Sequence, residues 1–107
     1  MSTQVVFTGT AKNDLREIAV HLAKRSGSRE LAVRFVRELQ GQTAILVQFP
    51  ESGAFPQDRM LKSSGFRFLT HKDYLLFYRY ERAEGRVYIM AIFHGRRDYL
   101  RVMQQYL

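Results

Sequence analysis

Two apolar periodicities divide the chain into a helical first half and a strand-rich second half. Leu15, Ile18 and Leu22 recur at the spacing that puts side chains on one face of an α-helix. The same spacing returns between residues 32 and 46, after a Ser-Gly-Ser break at residues 26–28. Because this break is so short, the pattern predicts two antiparallel helices that form an α-helical hairpin.

From residue 59 onward the apolar period shortens to two, which indicates β-strands. We predict strands over residues 59–61, 66–70, 74–81 and 86–94, and a short strand over residues 4–8 before the helices. Residues 82–85, Arg-Ala-Glu-Gly, have the composition of a turn between the last two strands. The second half therefore predicts an antiparallel meander.

The last two predicted strands are apolar in both of their alternating sets of residues. A strand with one wet face would alternate apolar and polar side chains, so we expect these strands at the centre of the sheet. The hairpin covers one face only. The other face must be shielded from water by the chain's own C-terminus, by a partner, or by both. For the C-terminus, the sequence predicts a short helix that starts at Asp98 and places Tyr99, Val102, Met103 and Tyr106 on one side.

Together these elements predict a single α+β domain over residues 1–107, with an N-terminal strand, a helical hairpin, a three-stranded antiparallel meander and a short C-terminal helix. With 46% hydrophobic residues and eight Phe, the chain can build a small core. The N-terminus does not resemble a signal peptide, and no apolar run is long enough to span a bilayer. We therefore expect a cytoplasmic protein.

Charge and composition restrict the partners and the chemistry. The net charge of +7 and the pI of about 10.1 point to an anionic partner, which is nucleic acid, an anionic membrane surface or an acidic protein. The absence of Cys excludes disulfides, thiolate metal sites and a Cys nucleophile. His21 and His71 lack the spacing of metal ligands, so we expect neither a metal nor a cofactor.

Five short motifs, in a fixed order along the chain, carry a family resemblance. They are residues 11–18 on the first helix, Phe-Pro-Glu-Ser-Gly at 49–53, Arg-Met-Leu at 59–61, Tyr-Leu-Leu-Phe-Tyr-Arg at 74–79 and Ile-Phe-His-Gly-Arg-Arg-Asp at 92–98. In order and spacing they resemble the RelE/ParE superfamily of toxins from type II toxin–antitoxin systems. The resemblance implies that superfamily's fold and a cognate antitoxin partner, which we expect to carry an acidic segment.

The resemblance implies two possible activities. RelE-like members cut messenger RNA on the ribosome, whereas ParE-like members poison DNA gyrase without chemistry of their own. RelE-like enzymes use an Arg early in the strand where this chain has Leu75, and an apolar Leu cannot stabilise a phosphorane. Six residues after Arg96 the chain has Val102 and not Tyr. These departures favour a ParE-like gyrase inhibitor with no catalytic residues.

Two alternatives remain open at this stage. One is a ribosome-dependent endoribonuclease with its catalytic groups at His94, Arg96, Arg97 and Tyr99, in which His94 acts as acid or base near neutral pH. A local hydrogen bond at the end of a strand is the simpler explanation of His94. The other alternative is a detoxified family member that serves only as a binding or regulatory module.

Candidate contacts to the antitoxin or to the target are mostly cationic. We hypothesise that apolar antitoxin side chains fill the second face of the last two strands, while its carboxylates meet Arg79, Arg96 and Arg97. Ordinary edge-strand charge and a solvated basic turn are the structural alternatives. The cations of the hairpin are most simply its solvated face, although contact with gyrase or the antitoxin is a competing idea. The candidate residues are Arg59, Arg67, Tyr78, Arg79, His94, Arg96 and Arg97.

Overall fold

The computed structural model describes residues 3–95 and 99–107, and it begins with a strand followed by two capped helices. Strand β1 (Gln4–Phe7) leads into α1 (Gly9–Ser26), and Thr8 caps that helix by accepting a hydrogen bond from the Ala11 N–H at 3.2 Å. Gly27, at φ +71°, ends α1. Ser28 caps α2 (Arg29–Gln42), which continues as a 3₁₀ turn over Thr43–Val47. The predicted helical hairpin is confirmed.

The sheet has four strands in the order β1-β4-β3-β2. Strands β2 (Phe66–His71), β3 (Tyr74–Glu81) and β4 (Arg86–His94) form the antiparallel meander, and β1 adds to β4 in parallel. The turn between β3 and β4 closes through Gly85 at φ +65°. The predicted fold class and the bounds of β3 and β4 are confirmed.

The strand predicted at residues 59–61 is wrong. These residues begin a short helix, α3 (Arg59–Ser63), because the Asp58 carboxylate accepts a hydrogen bond from the Leu61 N–H at 2.9 Å and starts a helical turn. Arg59 therefore lies on an exposed helix and not on an edge strand. The predicted cap at Asp98 lies outside the described residues, and the C-terminal helix α4 is described over Tyr99–Met103.

The chain itself packs against both faces of the sheet and leaves part of the second face open. On one face the hairpin packs on a core that includes Leu15, Leu39, Leu76 and Ile89. On the other face α3 and α4 contribute Leu61 and Met103 to a second core, which also contains Phe66, Leu75, Phe77 and Ala91. Each fully buried Leu or Phe stabilises the fold by about 1.5–3 kcal/mol.

A β-bulge in β4 joins the hairpin and the C-terminus to the sheet. Phe77 pairs with Ala91 and Tyr78 with Ile89, so Met90 is the extra residue. The Asp14 carboxylate of α1 accepts a hydrogen bond from the Ile92 N–H at 2.9 Å, and the Tyr106 hydroxyl donates to the Met90 carbonyl at 3.2 Å. Helix α1 and the C-terminus are thereby both hydrogen-bonded to β4.

Candidate functional site

A groove of about 490 Å³ remains open on the second face of the sheet, beside α4. Its walls come from the loop before α3, from β2 and β3, and from α4. Most of the lining is aromatic or aliphatic, and Gln57, Thr70 and Tyr99 supply the polar side-chain atoms. We call it the second-face groove, and its lining residues are Ala54, Phe55, Gln57, Phe68, Thr70, Leu75, Phe77 and Tyr99.

The floor of the groove is a set of aromatic rings around Phe77. Its ring centroid lies 5.2 Å from that of Phe68, 5.7 Å from Phe93 and 5.8 Å from Tyr99. The Phe93 and Tyr99 rings are nearly parallel to the Phe77 ring, at 9° and 18°. Such contacts add about 0.5–1.5 kcal/mol each beyond area burial and so help to hold the rings of the floor together.

The loop wall is fixed by backbone contacts around Gly53. The Gly53 N–H donates to the Tyr78 hydroxyl at 2.9 Å, and Ala54 and Phe68 exchange two backbone hydrogen bonds of 2.9 Å. Burial raises the pKa of Tyr78, and the hydrogen bond from Gly53 acts in the opposite direction. Tyr78 therefore stays neutral near pH 7, and its hydroxyl serves to position the loop.

Arg67 holds the same loop from the side of β2. Its guanidinium donates to the Glu51 carbonyl at 2.8 Å and to the Gly53 carbonyl at 3.1 Å. It also pairs with the Glu51 carboxylate at 3.6 Å and lies over the Phe55 ring, 4.0 Å from its centroid. Because these contacts are all within the chain, Arg67 is an internal support of the groove wall.

The candidate binding residues do not gather at one site. Tyr78 is fully buried in the hairpin-side core, which corrects the expectation that it contacts a partner. Arg79 is partly exposed, lies over the Phe66 ring and pairs with Glu81 at 3.3 Å. Arg59 is exposed on α3. None of these residues lines the second-face groove, and Arg96 and Arg97 lie outside the described residues.

The structure separates the two described members of the alternative nuclease set. His94 packs edge-on against Tyr74, at 5.1 Å between ring centroids, and Tyr74 belongs to the core on the hairpin side. Tyr99 stacks on Phe77, which belongs to the core on the second face. The two side chains therefore lie on opposite faces of the sheet and do not converge on one phosphate.

The groove offers apolar contact and a few hydrogen-bonding groups, and among residues 3–95 and 99–107 no carboxylate, imidazole or cation lines it. Among residues 3–95 and 99–107, no three His, Asp or Glu side chains cluster as metal ligands would. In the same part of the chain, no helix combines the length and the apolar character needed to cross a membrane.

Sequence reasoning did not single out most of the groove's lining. Phe68 and Thr70 alternate on β2, as Leu75 and Phe77 do on β3, and this alternation places all four on one face. The contribution of Phe55 depends on how the loop folds over β2, through the Ala54 and Phe68 backbone pair. The preceding Gly53 is the one sequence signal of that close approach.

The comparisons with known proteins agree with the fold. The chain matches the model of the ParE toxin of the type II toxin–antitoxin system parDE over residues 5–99. No curated relative matches it. It shares its fold with the chromosomal ParDE toxin–antitoxin system from P. aeruginosa, with a TM-score of 0.73, 23% identity, and 88% of this chain and 97% of that chain covered. It is also similar to the toxin–antitoxin complex RelBE2 from Mycobacterium tuberculosis, with a TM-score of 0.58, 23% identity and coverage of 88% and 99%. The chain belongs to the ParE toxin family of type II toxin–antitoxin systems.

Proposed function

We propose that this toxin inhibits DNA gyrase by binding it in the cytoplasm, without catalysis of its own, and that a cognate antitoxin with an acidic segment neutralises it. Membership of the ParE family supports the proposal. So does the net charge of +7, which favours association with an acidic partner.

The observation that carries the proposal is the apolar character of the second-face groove. Cleavage of RNA by attack of the 2′-hydroxyl needs a base, an acid and cations at one phosphate. In this chain Leu75 and Phe77 form the floor instead, and Leu75 is 2% exposed. His94 and Tyr99 lie on opposite faces. The arrangement supports binding through shape and apolar contact more than proton transfer.

A controlled expression experiment tests the function in cells. The gene is induced with and without the neighbouring open reading frame, and growth, plasmid supercoiling and messenger RNA integrity are followed together. We expect growth arrest with loss of plasmid supercoiling, intact messenger RNA, and rescue by the neighbouring gene. Cleaved messenger RNA with normal supercoiling would instead establish the nuclease alternative, and absence of arrest would establish a detoxified family member.

A second proposal concerns where the antitoxin docks. We propose that an extended antitoxin segment places apolar side chains in the second-face groove, next to the outer edge of β2. Carboxylates of that segment then lie close to the exposed cations Arg59 and Arg79. Arg67 has only a minor part in this contact, because the loop already occupies its guanidinium.

A substitution that fills the groove tests this docking site. Thr70 is exposed and lines the groove, and Thr70→Trp occupies its space with a residue that strands tolerate well. We expect the affinity for the antitoxin encoded beside the gene to fall at least about tenfold in calorimetric titration. Gln4→Trp, at an exposed position of β1 away from the groove, is the matched control. Equal affinities of the two variants would exclude the groove as the docking site.

A further inference from the structure

The cations of the described residues differ in their ion pairs, and Arg59 and Lys62 of α3 and Arg101 of α4 pair with no described carboxylate. On the sheet and its loops, Arg67, Lys72, Arg79, Arg82 and Arg86 all pair with carboxylates of the chain. On the hairpin the situation is different. There, no described carboxylate oxygen lies within 4.0 Å of any cationic nitrogen of Lys12, Arg16, Lys24, Arg25, Arg29, Arg34 or Arg37.

Several acidic residues of the hairpin are not free to pair with its cations, because they already form hydrogen bonds or ion pairs elsewhere. Asp14 accepts the Ile92 N–H, and Glu38 pairs with His71 and Lys72 of the sheet. Glu17 accepts a hydrogen bond from Asn13. The cations of the hairpin thus form no ion pair with a described carboxylate, although Glu30 lies among the arginines of α2.

Three of these arginines surround one shallow depression on α2. Arg29, Arg34 and Arg37 line it together with Val33 and the acidic Glu30. Arg29, Val33 and Arg37 are spaced by four residues, so they lie on one side of the helix at steps of about 6 Å. All three arginines are exposed. We call this surface the α2 cationic surface.

The geometry points to the phosphate backbone of duplex DNA as the ligand of this surface. From Arg29 to Arg37 the helix rises about 12 Å, and successive phosphates of one DNA strand follow every ~3.4 Å along the duplex axis. Three flexible guanidinium groups over this length can each reach a phosphate, and Arg binds phosphate with two parallel hydrogen bonds.

We infer that the α2 cationic surface binds DNA through phosphates alone, without reading bases. An acidic protein fits the surface less well, because the depression is shallow and lacks the buried aromatic pocket that anchors most protein partners. The inference goes beyond gyrase inhibition and does not depend on it. It gives the toxin a second binding surface, on the side of the molecule opposite the second-face groove.

The test compares two triple variants that remove the same charge. One is Arg29→Gln/Arg34→Gln/Arg37→Gln, in which Gln preserves helix propensity. The control, Lys72→Gln/Arg82→Gln/Arg86→Gln, removes three cations that are paired within the chain. Binding to a short fluorescein-labelled duplex is measured by anisotropy from about 50 to about 200 mM salt, and circular dichroism checks folding.

We expect the α2 variant to lose at least about tenfold in affinity at about 100 mM salt, and its slope of log K against log salt to become shallower by about 2.7. The control is expected to stay within about threefold of the original protein. Equal losses in the two variants would show that net charge alone drives binding and would overturn the inference. Failure to bind the duplex, with retained binding of poly-L-glutamate through the same arginines, would overturn it in favour of an acidic protein.

Discussion

At the scale of one residue, the groove wall depends on the close approach of the Gly53 backbone to Tyr78 and Phe68. A Cβ atom there would lie 2.6 Å from both Cε1 and the hydroxyl of Tyr78 and 3.0 Å from the Phe68 carbonyl. Tyr78 is fully buried and cannot move aside without disturbing the core. The hydrogen bond from the Gly53 N–H to Tyr78 depends on this contact.

We therefore expect Gly53→Ala to lower the free energy of unfolding by about 1–3 kcal/mol, because overpacking forces the loop away from β2. Urea denaturation monitored by circular dichroism measures the change. Gly41→Ala is the control, because Gly41 lies in α2 and no atom is within 4 Å of its Cβ position. The control should be neutral or stabilising by up to about 1 kcal/mol. A Gly53→Ala protein as stable as the original would contradict the packing described around Tyr78.

The raised pKa of Asp14 leads to a second prediction at this scale, on how stability changes with pH. Burial raises its pKa above the ordinary 3.8, while the hydrogen bond from Ile92 acts in the opposite direction. The folded state therefore binds this proton more tightly than the unfolded chain does. The contribution of Asp14 to stability is consequently greatest below about pH 3.8 and decreases as pH rises through the raised pKa.

Asp14→Asn keeps an oxygen that can accept the Ile92 N–H but removes the titration. We expect the variant to gain stability relative to the original protein between about pH 3 and about pH 7. Other groups, including Glu38, titrate in both proteins and cancel in the difference. Urea denaturation at the two pH values gives that difference, and a relative loss for Asp14→Asn on raising the pH would reject the assignment.

At the scale of elements, the sequence predicted strands correctly where the apolar pattern extends over many residues. Strands β3 and β4 were predicted correctly because five consecutive residues (74–78) and seven consecutive residues (87–93) are apolar or aromatic on both alternating sets. The three residues from Arg59 to Leu61 were too few to distinguish a strand from a helical turn, and the Asp58 cap decided the outcome. The parallel position of β1 beside β4 depends on contacts more than 80 residues apart, such as that between Thr8 and Ile89, which local periodicity cannot indicate.

The cap of α3 can be tested directly. Asp58→Ala removes the acceptor of the Leu61 N–H, and we expect it to cost about 1 kcal/mol in the free energy of unfolding. Ser63→Ala, an exposed position on the same helix, should change stability by less than about 0.5 kcal/mol. If both substitutions had equal effects, the helix would not depend on its cap.

The candidate site was less predictable from sequence than the elements that build it. Basic residues were the most visible signal, yet Arg67 serves the loop and Arg79 pairs with Glu81. The groove combines a loop, two strands and the C-terminal helix, so its lining becomes visible only once the fold is assembled. Leu75 is the exception, since its apolar nature at that position already argued against catalysis.

At the scale of the whole molecule, two surfaces of different chemistry lie on opposite sides of one sheet. The second-face groove is apolar, whereas the hairpin side presents arginines without ion pairs among the described residues. In the two proposals above, the groove receives the antitoxin and the hairpin side binds the phosphates of DNA. In this account the sheet is a rigid support that holds both surfaces in place.

The most direct test of the central claim uses the purified toxin with purified gyrase. Supercoiling of relaxed plasmid is measured with increasing toxin, and programmed ribosomes with messenger RNA are treated in parallel. We expect supercoiling to be inhibited in proportion to toxin and restored by the antitoxin, while the messenger RNA on the ribosomes stays intact. Unimpaired supercoiling together with cleaved messenger RNA would contradict the account and identify the protein as a ribonuclease.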